Sequence, residues 1–273
     1  MSASPLFSLS GRRYLVIGGG QGIGAATSML LAEAGADVAV FDREAGTAES
    51  VAEQVRNLGR RCAVVVGDIM DADGLRGAID RAEADLGALD GMVTVVGGAV
   101  WVPLLEMSVE EWQRAHDVNL GYVFVAAQHL ARRMIERSKP GSLVFVASVD
   151  GIRSAPDHAG YGSAKAGLLN LVKSAAIEWA PHGIRVNAVA PGAIVSPRIP
   201  LRSPEQERAL MSRVPLRARG TASDIAAAAA FLLSDLSRYT TAQTLAVDGG
   251  LTAVGPLEYG SERRRLGRPT VGD

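Results

Sequence analysis

Short apolar runs alternate along almost the whole chain with longer stretches whose apolar residues recur at helical spacing. Strand-like runs rich in Val, Ile, Leu and Phe occupy 14–17, 38–41, 62–66, 92–96, 143–147, 185–189 and 244–247. Between them, amphipathic segments near 22–34, 44–58, 71–86, 108–137, 159–180 and 222–234 are each long enough to be the crossover of a βαβ unit. The runs YLVI at 14–17 and LVFVA at 143–147 are almost unbroken, as expected of parallel strands covered on both faces rather than one. The pattern therefore predicts an α/β fold, a doubly wound parallel sheet of seven strands with helices on both sides. Its binding crevice belongs beyond the C-terminal ends of the strands.

Composition narrows the picture. At 273 residues, 48% of them hydrophobic, the chain has enough apolar material for one large core and reads as a single domain over 1–273, with its core at about 11–252. Lys and Arg number 28 against 29 Asp and Glu, so no basic surplus exists to neutralise a phosphate backbone or an anionic bilayer. Nucleic acid and membrane are accordingly not expected as partners. The lone cysteine, Cys62, precludes an intramolecular disulfide and a cysteine-rich metal site, and it suits a reducing cytoplasm. No apolar run approaches the roughly 20 residues of a membrane helix, and the start MSASPLFSLSGRR lacks the pattern of a secretory signal, so a cytoplasmic location is expected. His116, His129, His158 and His182 lack ligand spacing, and no metal is expected. Two stretches are irregular: the proline-rich segment 191–220, read as a substrate lid, and the charged Gly/Pro-containing end 255–273, read as a loose tail.

The chemistry begins where the first strand runs into Gly18-Gly19-Gly20-Gln21-Gly22-Ile23-Gly24 and then a good helix. Glycines in a strand–turn–helix permit a tight turn and close approach of backbone to a pyrophosphate, whose charge is favoured by the helix start. The second strand ends at Asp42, where a carboxylate can accept both hydroxyls of an adenine ribose and repel a 2′-phosphate, favouring NAD over NADP. Arg43 is the opposing feature, since a guanidinium can pair with that phosphate. Tyr161 and Lys165 stand at i and i+4, on one face of a helix. A phenol with an ordinary pKa of about 10 becomes a usable acid/base if a nearby ammonium lowers it. Ser148 follows the fifth strand on the crevice side, and Asn119 interrupts a long helical stretch, where its side chain is unfavourable and a local kink is the functional reading.

Taken jointly, these residues resemble the short-chain dehydrogenase/reductase family over nearly the whole chain, with RVNAVAPG at 185–192 and VDGG at 247–250 matching as well. The resemblance implies a Rossmann-type sheet of strand order 3-2-1-4-5-6-7 and a homotetramer. It implies a catalytic tetrad of Asn119, Ser148, Tyr161 and Lys165, with Tyr161 as acid/base and Lys165 holding the nicotinamide ribose and lowering the phenol's pKa. Ser148 would bind the substrate oxygen and Asn119 a relay water. It further implies cofactor contacts from Gly18, Gln21, Gly22, Ile23, Gly24, Asp42, Asp68, Ile69, Gly97, Pro191, Gly192 and Ile194. Two departures stand out: Ile17 replaces the family's threonine before the glycines, and Thr94-Val95-Val96-Gly97 replaces its Asn-Asn-Ala-Gly block.

The expected activity is reversible hydride transfer between NAD(H) and a secondary alcohol or ketone. An NADP-dependent carbonyl reductase is the nearer alternative, and a silent NAD-binding sensor or scaffold the more distant one. Apolar residues at 99–105 and in the lid suggest an apolar or cyclic substrate. Arg153, Arg198 and Arg202 offer an anion handle but read as surface residues, and His158 reads as a surface histidine at a helix start.

Overall fold

The computed structural model describes residues 7–196 and 201–255. Seven strands, β1 (Arg13–Ile17), β2 (Asp37–Asp42), β3 (Cys62–Val66), β4 (Gly91–Thr94), β5 (Gly141–Val146), β6 (Ile184–Pro191) and β7 (Thr244–Val247), form one sheet in the order 3-2-1-4-5-6-7. Every pairing is parallel, with Leu15 of β1 facing Ala39 of β2 on one side and Met92 of β4 on the other. The strand order reverses between β1 and β4, and a crevice opens at the C-terminal ends of these two strands.

The two-residue repeat of the strands sorts their side chains onto two faces. Leu15 and Ile17 face a core built with helices α3 (Ala72–Leu86), α5 (Tyr122–Glu136) and α6 (Ala159–Trp179). Tyr14 and Val16 face the opposite core, made with α1 (Gly22–Glu33), α2 (Ala45–Asn57) and α8 (Ala222–Leu233). Double-sided burial explains why the central strands read as unbroken apolar runs.

The long helical stretch expected at 108–137 is three pieces: α4 (Val109–His116), a π-helical turn Asp117–Gly121, and α5. The wider turn occurs at Asn119, whose Nδ2 donates to the Ala115 carbonyl oxygen at 2.8 Å. A side chain competing for the i−4 carbonyl is a known cause of local unwinding. The segment 191–220 is not loop throughout: Ser203 and Gln206 form a capping box that starts a short helix, α7 (Pro204–Leu210), with Pro204 in its first turn. Residues 197–200 of that segment, including Arg198, and residues 256–273 of the expected tail lie outside the described residues. No helix among the described residues is long and apolar enough to cross a membrane.

Candidate active site

A cleft of about 420 Å³ lies at the reversal point, walled by the ends of β1, β2, β3 and β4 and the start of α1. Gly18 leaves β1 in the left-handed region (φ 84°), and a Cβ there would sit 2.7 Å from Cγ2 of Val96. A Cβ at Gly24 would lie 1.8 Å from the Gly18 carbonyl oxygen, so the first turn of α1 can close onto the loop only without a side chain. The helix start carries no side-chain cap and no acidic residue in its first turn. Its free N–H groups and positive dipole end therefore remain uncompensated beside the cleft, which fits the pyrophosphate of a dinucleotide.

At the far rim, Asp42 is buried, accepting from the Gly20 N–H at 2.9 Å and the Glu44 N–H at 3.2 Å. Arg43 also lines the cleft there, largely exposed and paired with Glu44 at 3.3 Å. Gln21, Gly22, Ile23, Asp68, Ile69 and Gly97 also line the cleft, as does Arg114 of α4, a residue sequence reasoning did not single out. Gly24, Pro191, Gly192 and Ile194 do not. Ile194 instead bridges Gly220 and lines a separate 220 Å³ cavity with Val214 and Leu216. Gly192 answers a packing need, because a Cβ there would meet Asp248 Cα at 2.7 Å.

Asn119, Ser148, Tyr161 and Lys165 are not among the residues lining this cleft; they gather behind Gly97. Gly97 links them to the cleft: a Cβ on it would lie 2.8 Å from Asn119 Oδ1 and 3.3 Å from Lys165 Nζ. The Asn119 amide is fully buried and clamps the chain after β4, accepting from the Gly98 N–H at 3.1 Å and donating to the Gly98 carbonyl at 2.8 Å. Lys165 donates to the Val146 carbonyl at 2.9 Å and lies 5.6 Å from the centre of the Tyr161 ring. Burial pulls the Lys165 ammonium down to about 7. Tyr161 moves the other way: burial raises it, a hydrogen bond with Ser148 pulls it down, and the charge of Asp150 raises it further. Burial is the largest of these influences on the phenol, and Lys165 is not among them in the protein alone.

The altered block after β4 is compensated by apolar packing and one hydroxyl. Val96 fills the space beside Gly18, and the buried Tyr122 hydroxyl donates to the Val96 carbonyl at 2.8 Å. The RVN and VDGG blocks are structural. Arg185 donates to carbonyls at the end of α8, at 2.8 Å to Leu232, while Asn187 donates to Thr240 and Asp248 caps the turn at 250–252. His158 departs from its expected surface position: it is 6% exposed and hydrogen-bonded to Asp150. Arg153 and Arg202 are exposed, as read. Among the described residues no group of three or more His, Cys, Asp or Glu could hold a metal ion.

Comparison with known proteins agrees with this arrangement. A family model described as enoyl-(acyl carrier protein) reductase matches residues 18–252. Cis-4-hydroxycyclohexanecarboxylate dehydrogenase of Sinomonas cyclohexanicum is 39% identical over 244 residues, 89% of this chain and 97% of that protein. A solved short-chain type dehydrogenase/reductase from Mycobacterium marinum matches with a TM-score of 0.84 at 34% identity, covering 93% of this chain and 100% of its own. A 7α-hydroxysteroid dehydrogenase complexed with NADH and 7-oxo glycochenodeoxycholic acid matches with a TM-score of 0.86 at 31% identity, covering 92% and 98%. A glycine-walled cleft at the sheet's reversal point, four convergent polar side chains behind it and these likenesses lead to one assignment: the chain belongs to the short-chain dehydrogenase/reductase family, NAD(P)-dependent oxidoreductases acting on CH–OH groups.

Proposed function

We propose that the protein transfers a hydride reversibly between NAD(H) and a secondary alcohol or ketone of apolar or cyclic character. The observation that carries the reading is Tyr161, with Ser148 beside its hydroxyl and the Lys165 ammonium 5.6 Å from its ring centre, behind Gly97 in the wall of a cleft shaped for a dinucleotide. When bound there, the nicotinamide supplies the hydride acceptor or donor. Gly18, Gln21, Gly22 and Ile23 would hold the pyrophosphate at the helix start, and Asp42 the adenine ribose, with Asp68, Ile69 and Gly97 along the wall.

Tyr161 takes the proton from the substrate hydroxyl during oxidation and returns it during reduction. Ser148 donates to the substrate oxygen as charge develops. Lys165 stabilises the phenolate and fixes the ribose, and Asn119 holds the chain after β4 in register with both, with a relay water as its further role. NAD is favoured because the rim is acidic: Asp42 faces the cleft and Glu44 engages the guanidinium of Arg43. The presence of Arg43 and Arg114 in the same wall supports the alternative, an NADP-dependent carbonyl reductase.

Trp101, Leu104 and Leu105, exposed in the segment after β4, and Leu216 across the lid are the basis for an apolar or cyclic substrate. The cyclic alcohol and steroid ketone in the relatives' names agree with it. Tyr161→Phe is expected to lower kcat at least about a hundredfold while NADH still binds. The check is NAD reduction at the nicotinamide absorbance with a panel of cyclic secondary alcohols, plus NADH fluorescence titration. Turnover near wild type in that variant ends the acid/base role, and an inactive wild type across the panel ends the substrate class.

A further inference from the structure

Beside Tyr161 lies a buried pair that the acid/base reading leaves without a task. His158 is sandwiched between two rings: Trp101, from the segment after β4, stacks on it at 3.9 Å between centroids and 9° between planes, and Tyr161 at 4.7 Å and 22°. Its Nδ1 donates to Asp150 Oδ2 at 2.8 Å. Asp150 belongs to the short turn Val149–Gly151 that directly follows Ser148, and its own N–H donates to Ser148 Oγ at 3.1 Å. The second ring nitrogen, Nε2, is buried and has no hydrogen-bond partner among the described residues.

An imidazole in this place is a poor choice for packing alone. A buried nitrogen left without a partner costs free energy that a phenyl ring of similar shape would not. What the pair does provide is a bridge from the turn carrying Ser148 to the first residues of α6, which carries Tyr161. It also places a carboxylate close enough to act on the phenol. The groups facing Tyr161 are Ser148 and Asp150 from the turn, His158 and Lys165 from its own helix region, and Tyr122 from α5.

We propose that Asp150 and His158 are positioning residues for Tyr161: the hydrogen-bonded pair holds the phenol ring against Ser148, and the carboxylate, tempered by its imidazole donor, sets the pH range in which the phenol gives up its proton. This rests on Tyr161 being the acid/base. The sign follows from charge. Removing the negative charge at 150 makes the phenolate easier to form, whereas removing the imidazole leaves the carboxylate without that donor and makes it harder.

The test follows kcat/KM for NAD-linked oxidation against pH, using the cyclic secondary alcohol turned over fastest in the panel above. Asp150→Asn keeps an acceptor for His158 and is expected to move the rising limb about half a pH unit or more to lower pH. His158→Phe keeps the stacking but not the hydrogen bond. It is expected to move the limb upward and lower kcat about tenfold, with the NADH dissociation constant within about twofold of wild type. His158→Asn, whose amide can still donate to Asp150, is expected to recover most of that loss. Limbs that superimpose on wild type in both Asp150→Asn and His158→Phe overturn the proposal. So does a kcat loss that His158→Asn shares in full. Tyr161→Phe separates the two readings: if it is inactive while the limbs stay put, only this inference falls, and if it is active the acid/base role falls first.

Discussion

Asp42 shows how one side chain serves both structure and selectivity. Its carboxylate is held by the Gly20 and Glu44 N–H groups, so it cannot swing away from the cleft. A fixed negative charge at that rim repels a 2′-phosphate and accepts from ribose hydroxyls. Wild type is therefore expected to bind NADH at least about tenfold more tightly than NADPH, and Asp42→Ala to lose most of that difference. Fluorescence titration with both cofactors checks it, and tighter NADPH binding by wild type moves the assignment to the reductase alternative. The residue types at this scale were largely readable in advance, because a glycine turn, a terminal aspartate and a Tyr/Lys pair at i and i+4 are local patterns. Their protonation was not, because it depends on burial: Lys165 is drawn to about 7 and Tyr161 upward by surroundings no spacing reveals.

Between elements, helices α3 and α5 are joined by charge as well as by packing. Glu83 on α3 is buried, and its carboxylate accepts from Arg133 and Arg137 of α5 and from the Leu89 N–H. Burial alone would raise its pKa, but the Arg137 and Arg133 hydrogen bonds more than offset this and leave it below the ordinary carboxylate range. A folded-state pKa below the unfolded one contributes stability above the unfolded value, and that contribution is lost as pH falls through the folded value. Glu83→Gln is expected to cost about 2 kcal/mol at pH 7 and progressively less toward pH 3, read from denaturant midpoints. A cost that does not change with pH contradicts the ion-pair account. Element positions followed from periodicity, and the kink read at Asn119 is the π turn at Asp117–Gly121, whereas helix α7 within the lid was not foreseen. The first arises from one amide competing for a carbonyl, and the second is a seven-residue helix too short to imprint a period.

For the molecule as a whole, α5 and α6 present Phe124 and Ile177 to solvent, and the edge strand β7 presents Leu245. The family resemblance expects a homotetramer joined through these long helices and the C-terminal strand, and exposed apolar side chains there are what such an interface would cover. Light scattering at micromolar concentration is expected to report a four-chain particle, and a monomer under those conditions refutes the assembly.

The order of strands and helices, the glycine turn and the Tyr161/Lys165 pair were legible because each is written in near neighbours, whereas Asn119 and Ser148, in separate segments, joined them only through the family resemblance. The assembly of Trp101, Asp150, His158 and Tyr161 was not legible. Trp101 follows β4, Asp150 follows β5 and His158 immediately precedes α6, so their meeting depends on how the sheet orders its strands. The same reason hid Arg114 in the cleft wall and removed Ile194 from it. Proximity between segments distant in the chain, and the desolvation it brings, arise only when the layers pack.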